Sequence, residues 1–150
     1  MKVSQILDKS VIKLNLESSE KEEVLEELVG LLERAGKIQD HRRCMEALLE
    51  RERLGTTGIG DGIAIPHAKD KSVPSLSMAL GISRKGVAFE SIDGKSAHVI
   101  FLVMAQANNP GPHISLLAEI ARLFQTPHFY EKLLGARSEE EVLETVKALE

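Results

Sequence analysis

Residues 56–69 run T-T-G-I-G-D-G-I-A-I-P-H-A-K, a short apolar series broken by glycines at 58, 60 and 62 and closed by a histidine directly behind a proline. Glycine lets the backbone approach a ligand without Cβ interference, and Pro66 fixes φ on the way into His67. The segment therefore aims an imidazole from a stiff support. A dinucleotide fingerprint would place G-x-G-x-x-G between a strand and a helix, and a phosphate loop would open a helix with G-K-[ST]. Here the residues after Gly60 are strand-like and end in Pro-His, so a βαβ nucleotide site is set aside. A lone histidine at a strand end is ordinarily a partly buried ring with a satisfied hydrogen bond. The glycine spacing and the proline make His67 the histidine to follow.

Working outward, Val11 to Leu16 reads as a first strand. Ser19-Glu20-Lys21-Glu22 fits a capping box, followed by Val24, Leu25, Leu28, Leu31, Leu32 and Ala35 at helical spacing up to Gly36. Asp40 can cap a second helix over His41 to Arg53, stopped by Gly55. Two further strands are expected at Leu76 to Ser83 and Ala97 to Ala105, separated by turn material at Ser91 to Lys95. The second is almost wholly apolar, which suits the middle of a sheet covered on both faces. Asn108 to Pro112 breaks the chain, and Ile114, Leu117, Ile120, Ala121 and Phe124 predict a helix from His113. Thr126-Pro127 starts a short helix closed by Gly135, and Ser138 caps a last one. Strands interleaved with helices predict an α/β fold, and 150 residues without a linker or repeat suit one domain over residues 1–150.

Composition removes several function classes. The chain is 43% hydrophobic and 28% charged, with net charge −4, four Phe and one Tyr. A nucleic-acid surface needs a basic face and usually stacking aromatics, so no nucleic-acid partner is expected. The longest apolar runs are far too short for a bilayer span, and an early Asp8 does not suit a signal peptide, so a cytoplasmic protein without a membrane span is expected. One cysteine, Cys44, offers neither a disulfide nor a metal cluster and sits on an apolar helical stripe, where packing is its natural role.

Two other residues have chemistry suited to an anion, although taken alone His113 reads as an ordinary helix-start residue and Arg51 as a surface charge near a helix end, with Arg53 beside it. His113 follows it by forty-six residues at the expected start of a helix, where free N–H groups and the helix dipole favour an anion by roughly 0.3–1 kcal/mol. Arg51 lies sixteen residues before His67 in R-E-R-L-G-T-T-G, and its fork of donors matches phosphate oxygens. Thr56 or Thr57 could add a hydroxyl or simply shape the turn. Zinc held by His67, His98 and His113 lacks H-E-x-x-H or cysteine pairing, so no metal or cofactor is expected. His98 and His128 read as structural, and His41 as a helix-surface residue.

The G-x-G-x-A-x-P-H run, Glu52 and the P-x-H-x-x-x-L-A-x-I-A-R-L segment around His113 together resemble enzyme IIA domains of the bacterial phosphoenolpyruvate-dependent phosphotransferase system, of the fructose, mannitol and nitrogen class. The resemblance covers nearly the whole chain, with Ala68 where many members have Gly. It implies a mixed β-sheet with helices on both faces. It further implies that His67 accepts a phosphoryl group on Nε2, with His113 and Arg51 stabilising the transferring group. The donor would be a phosphohistidine on HPr or a relative, and the next acceptor a cysteine on an enzyme IIB domain.

Two settings share this pattern: sugar transport through a IIB domain, and nitrogen-type regulation in which phosphorylation switches contacts with target proteins. Either requires an exposed His67 with a modest apolar rim, for which Ile59, Ile63 and Ala68 are the sequence candidates.

Overall fold

The computed structural model describes residues 2–150. Its elements are β1 (Ile12–Lys13), α1 (Lys21–Arg34), α2 (His41–Arg53), β2 (Gly58–Gly60), β3 (Ile63–Ala64), β4 (His67–Asp70), β5 (Ser77–Val87), β6 (Ala97–Gln106), α3 (Pro110–Gln125), α4 (Phe129–Leu134) and α5 (Glu139–Leu149). The six strands form one sheet in the order β1-β5-β6-β3-β2, with β4 also paired to β6. β5 and β6 run antiparallel, while β1 lies parallel to β5 and β3 and β4 lie parallel to β6. The sheet is therefore mixed, as the resemblance implied.

Strand β6 anchors the molecule. Val99 through Ala105 are all fully buried, so residues pointing to opposite faces are equally covered. On one face the Phe101 ring meets Phe124 of α3 edge-on at 5.7 Å, and Phe124 meets Phe129 of α4 at 5.2 Å. Helices α1 and α2 pack on each other and against β5 and β4 respectively.

Several local readings change at the edges. The first strand shrinks to two residues, although Leu16 N still donates to Ile82 O. The Ser19 capping box does not form: α1 starts at Lys21 after Glu20, because the Ser19 carbonyl accepts from Ala88 N and Glu20 bridges to Ala88. Strand β5 runs beyond Ser83 because a register shift, with Gly86 at φ +100°, lets Val87 rejoin β6 opposite Ala97. Asp40 and Ser138 do cap α2 and α5, accepting from Arg43 N and Glu141 N. Helix α4 begins at Phe129, two residues after Pro127, behind His128 in the left-handed region.

Arg43 of α2 grips Asp70 at the end of β4, with Nε donating to Oδ2 at 3.0 Å and Nη2 to Oδ1 at 3.2 Å. Ser72 N adds a third donor at 2.8 Å. Arg43 first, and then the Ser72 donors, hold the Asp70 carboxyl down at about 2, against an ordinary 3.8. A lowered folded-state value means that ionised Asp70 stabilises the fold above pH 4, and that this contribution is lost as pH falls towards 2. Arg43 is half exposed, so screening leaves about 1 kcal/mol. Urea unfolding should therefore show Asp70→Asn weaker than the parent by that amount at pH 6, with the two converging at pH 2. An equal gap at both pH values would place the source elsewhere.

Candidate functional site

The glycine stretch folds as a tight hairpin. β2 and β3 pair antiparallel across Asp61 and Gly62, both at positive φ. Its glycines are required by the protein itself rather than by a ligand. A Cβ on Gly58 would stand 2.9 Å from Ser91 Cα, and one on Gly62 would collide with the Tyr130 hydroxyl. The hairpin tip is tied down by Asp93, which accepts from Asp61 N at 3.0 Å.

Beneath the hairpin lies Glu52, whose side chain is 5% exposed. Its carboxylate accepts from Thr57 N at 3.2 Å, from the Thr57 hydroxyl, and from Lys21 Nζ at 2.9 Å. The Lys21 ammonium also stands 4.9 Å from the Phe89 ring centre. Thr57 is thus buried in a hydrogen-bonded network with Glu52, and Thr56 donates to Phe89 O; neither hydroxyl bonds His67 itself.

After Ala64, Pro66 interrupts the ladder without breaking it. The Pro66 carbonyl accepts from Val103 N at 2.9 Å, and His67 then opens β4 opposite Val103. The imidazole is half-buried, and its Nδ1 lies 2.8 Å from Ile65 O. A carbonyl only accepts, so the neutral ring carries its proton on Nδ1 and leaves a lone pair on Nε2. That is the nitrogen the resemblance implied, here with a local physical cause.

The His113 ring stands edge-on to His67 with centres 5.6 Å apart. It is 8% exposed, and its Nε2 has no hydrogen-bond partner in the protein. Burial chiefly, with the charges of His67 and Lys69 behind it, pulls its pKa below the ordinary 6.5. The expected position of His113 needs correcting: α3 starts at Pro110, so His113 is the fourth helical residue. Pro110 and Pro112 have no N–H, which removes two of the amides that a helix start would offer an anion. What His113 brings is its ring.

Arg51 lies in the last turn of α2 and lines the same open cleft, of about 780 Å³, as His67 and His113. Its Nη1 donates to Gly55 O at 2.9 Å, and among the described residues it forms no ion pair. Its charge stays available to the cleft. Arg53, two residues on, lines a different groove with Glu20, Lys21 and Glu90.

The apolar rim differs from the sequence reading. Ala68, 7% exposed, does line the cleft, whereas Ile63 is buried and Ile59 is 46% exposed, and both lie outside it. Leu54 and Ile114, 83% and 65% exposed, edge it instead. Spacing alone could not reveal them, because Leu54 caps the C-terminal end of α2 and Ile114 lies on α3 next to His113, and only the packing brings both to one cleft. Cys44 is fully buried, and burial pushes its thiol up to about 11. Among the described residues no group of three or more His, Cys, Asp or Glu could hold a metal, and no helix is long and apolar enough to cross a membrane. His98 Nδ1 bonds Ser83 O, while His41 bridges Glu26 and Glu33 of α1.

Comparison with known proteins matches residues 5–148 to the family described as "Phosphoenolpyruvate-dependent sugar phosphotransferase system, EIIA 2". The chain belongs to that EIIA family. It is 42% identical over 146 residues to the fructose-specific EIIABC component of Bacillus subtilis, covering 97% of the chain and 23% of that longer protein. The fructose-specific EIIA component of Haloferax volcanii is 35% identical over 140 residues, or 93% of the chain and 91% of that protein. In structure, the EIIA fold superimposes on the nitrogen regulatory protein IIA-Ntr of Neisseria meningitidis with TM-score 0.89 and 35% identity, covering 96% and 98% of the two chains. Sugar-specific and nitrogen-regulatory proteins are both among the relatives.

The buried setting of His113 in this EIIA chain can be checked directly. In a histidine ¹⁵N titration His113 should still be mostly neutral at pH 6.5, where an unperturbed ring is half protonated. A His113 midpoint at or above 6.5 would contradict that reading.

Proposed function

We propose that this chain is a phosphoryl carrier in which His67 Nε2 is the nucleophile. The observation that carries the reading is the pairing of Nδ1 with Ile65 O, which leaves the Nε2 lone pair in the cleft shared with His113 and Arg51. Nε2 attacks the phosphorus of a phosphohistidine on an HPr-like protein; a new N–P bond forms as the donor's N–P bond breaks, and the donor leaves with its electron pair. His67 retains its Nδ1 proton, now held to the Ile65 carbonyl with added positive charge on the ring.

The transferring group carries charge on three oxygens, which needs fixed donors. Arg51 supplies an unneutralised guanidinium. His113 supplies a buried ring nitrogen that a phosphoryl oxygen would satisfy, which accounts for an otherwise costly orphan. Protein donors suffice for this chemistry without a metal. The cleft is open and edged by Leu54 and Ile114, which suits a protein-borne phosphoryl group better than a small substrate.

Transfer onward goes to the cysteine of an enzyme IIB domain in sugar uptake, a reading favoured by likeness to the fructose-specific components. Likeness to IIA-Ntr favours a second reading, in which phosphorylated and unphosphorylated forms bind different target proteins.

With phosphoenolpyruvate, enzyme I and HPr, His67→Ala should take up no acid-labile, alkali-stable phosphate; labelling equal to the parent would remove His67 from its role. His113→Ala and Arg51→Ala each lose a charge-assisted contact of roughly 1.5–3 kcal/mol, so transfer should slow about tenfold to a hundredfold with the fold intact. Parent-like stopped-flow rates in both would take them out of the site.

The onward step separates the two settings. Phosphorylated protein mixed with candidate IIB domains should lose its label to one IIB cysteine in the transport setting. Persistence against all of them, with phosphorylation-dependent capture of a non-transport protein, marks the regulatory one. Label should never reach the buried Cys44, and its appearance there would refute transfer between molecules.

A further inference from the structure

We infer that Glu52, acting through Thr57, is a positioning residue that sets the tautomer and aim of His67. The inference rests on His67 being the phosphoryl acceptor for its catalytic consequence, while its structural core stands on a continuous line of contacts. Lys21 Nζ donates to Glu52 Oε1 at 2.9 Å, and the same carboxylate takes both the amide (3.2 Å) and the hydroxyl of Thr57. The Thr57 carbonyl accepts from Ile65 N at 3.0 Å. The Ile65 carbonyl then accepts from His67 Nδ1 at 2.8 Å. Four residues from three parts of the chain thus end on the one proton that determines which imidazole nitrogen is free.

The physical need is specific. A neutral imidazole in water can take either tautomer, and the one with its proton on Nε2 has no lone pair there to attack phosphorus. Only an acceptor held at the right place selects Nδ1–H. Ile65 O is that acceptor, and Thr57 holds the same residue by its N–H, one φ/ψ pair before the carbonyl, with ψ narrowed by the following Pro66. Thr57 itself cannot turn away, because its amide and hydroxyl both end on a carboxylate that is 5% exposed and held in place by Lys21. Pro66 sits between Ile65 and His67, so little slack separates the anchored residue from the ring. Adjacent residues at the end of α2 therefore divide the work: Arg51 faces the cleft and Glu52 faces inward.

The test uses the full chain with ¹⁵N-labelled histidine, in which long-range proton–nitrogen correlations distinguish Nδ1–H from Nε2–H. The parent should show His67 as Nδ1–H alone. Thr57→Val keeps the shape and the amide but removes the hydroxyl, and Glu52→Gln removes the charge. Both should bring in the Nε2–H tautomer and slow phosphoryl transfer from phospho-HPr about tenfold at unchanged KM. Thr57→Ser restores the hydroxyl and should recover both the tautomer and the rate. If either Thr57→Val or Glu52→Gln, once shown to be folded, keeps the parent tautomer and rate while only its melting temperature falls, the network is merely structural and the inference is overturned. The tautomer is read without any phosphoryl donor. Failure of His67 to take label would therefore sink the acceptor role and leave the positioning result to be decided by the spectra alone.

Discussion

The parallel pairing of residues 63–70 with β6 is the constraint on which the cleft depends. Ile63 and Ala64 pair with Val99 and Ile100, and His67 through Asp70 pair with Val103 through Gln106. Between them Pro66 cannot donate, yet its carbonyl still receives Val103 N, so the ladder carries across the proline. Because β6 is buried on both faces, a residue hung from it inherits the rigidity of the core. His67 is placed in this way: it belongs to a strand of the sheet rather than to a loop, and its ring is oriented by a peptide two residues back.

Charge is distributed around that support so that the cleft keeps a free cation. Asp70 neutralises Arg43 and helps fasten α2 to β4. Glu52 is neutralised by Lys21 below the hairpin, away from the cleft. Arg51, next in sequence to Glu52, contacts only a carbonyl among these groups and presents its charge where an anion would sit. A buried acid without Lys21 would be costly, and an Arg51 paired with a carboxylate would be dulled; the fold avoids both.

Much of this arrangement is legible in the chain itself. The α/β class follows from the alternating patterns, the mixed sheet was implied only by the family resemblance, and His67 stands out through its glycines and proline. β6 is recognisable because seven consecutive apolar residues suit only a covered strand. The start of α3 was also open to reading: Pro110 at the first helical position is a favoured helix opening, although N-N-P-G-P looks like a breaker when taken as a unit. The Ser19 capping box shows the opposite case, a good local signal overridden because the Ser19 carbonyl and Glu20 serve a bridge to Ala88.

The sequence by itself determined which residue types could do chemistry and which elements would carry them, because periodicity, caps and the glycine–proline pattern are local properties of the chain. Tertiary structure alone decided how they meet. It set His113 edge-on to His67, turned Glu52 under the hairpin and Arg51 out of it, filled the space beside Gly58 and Gly62 with Ser91 and Tyr130, and made Leu54 and Ile114 the apolar edge. These are contacts between residues far apart in sequence, whose geometry follows from sheet register and helix packing. The free nitrogen of His67 is decided nearer by, since a tautomer is chosen by the facing carbonyl and not by the imidazole: that carbonyl is only two residues back, and it is the fold around the hairpin that turns it towards Nδ1.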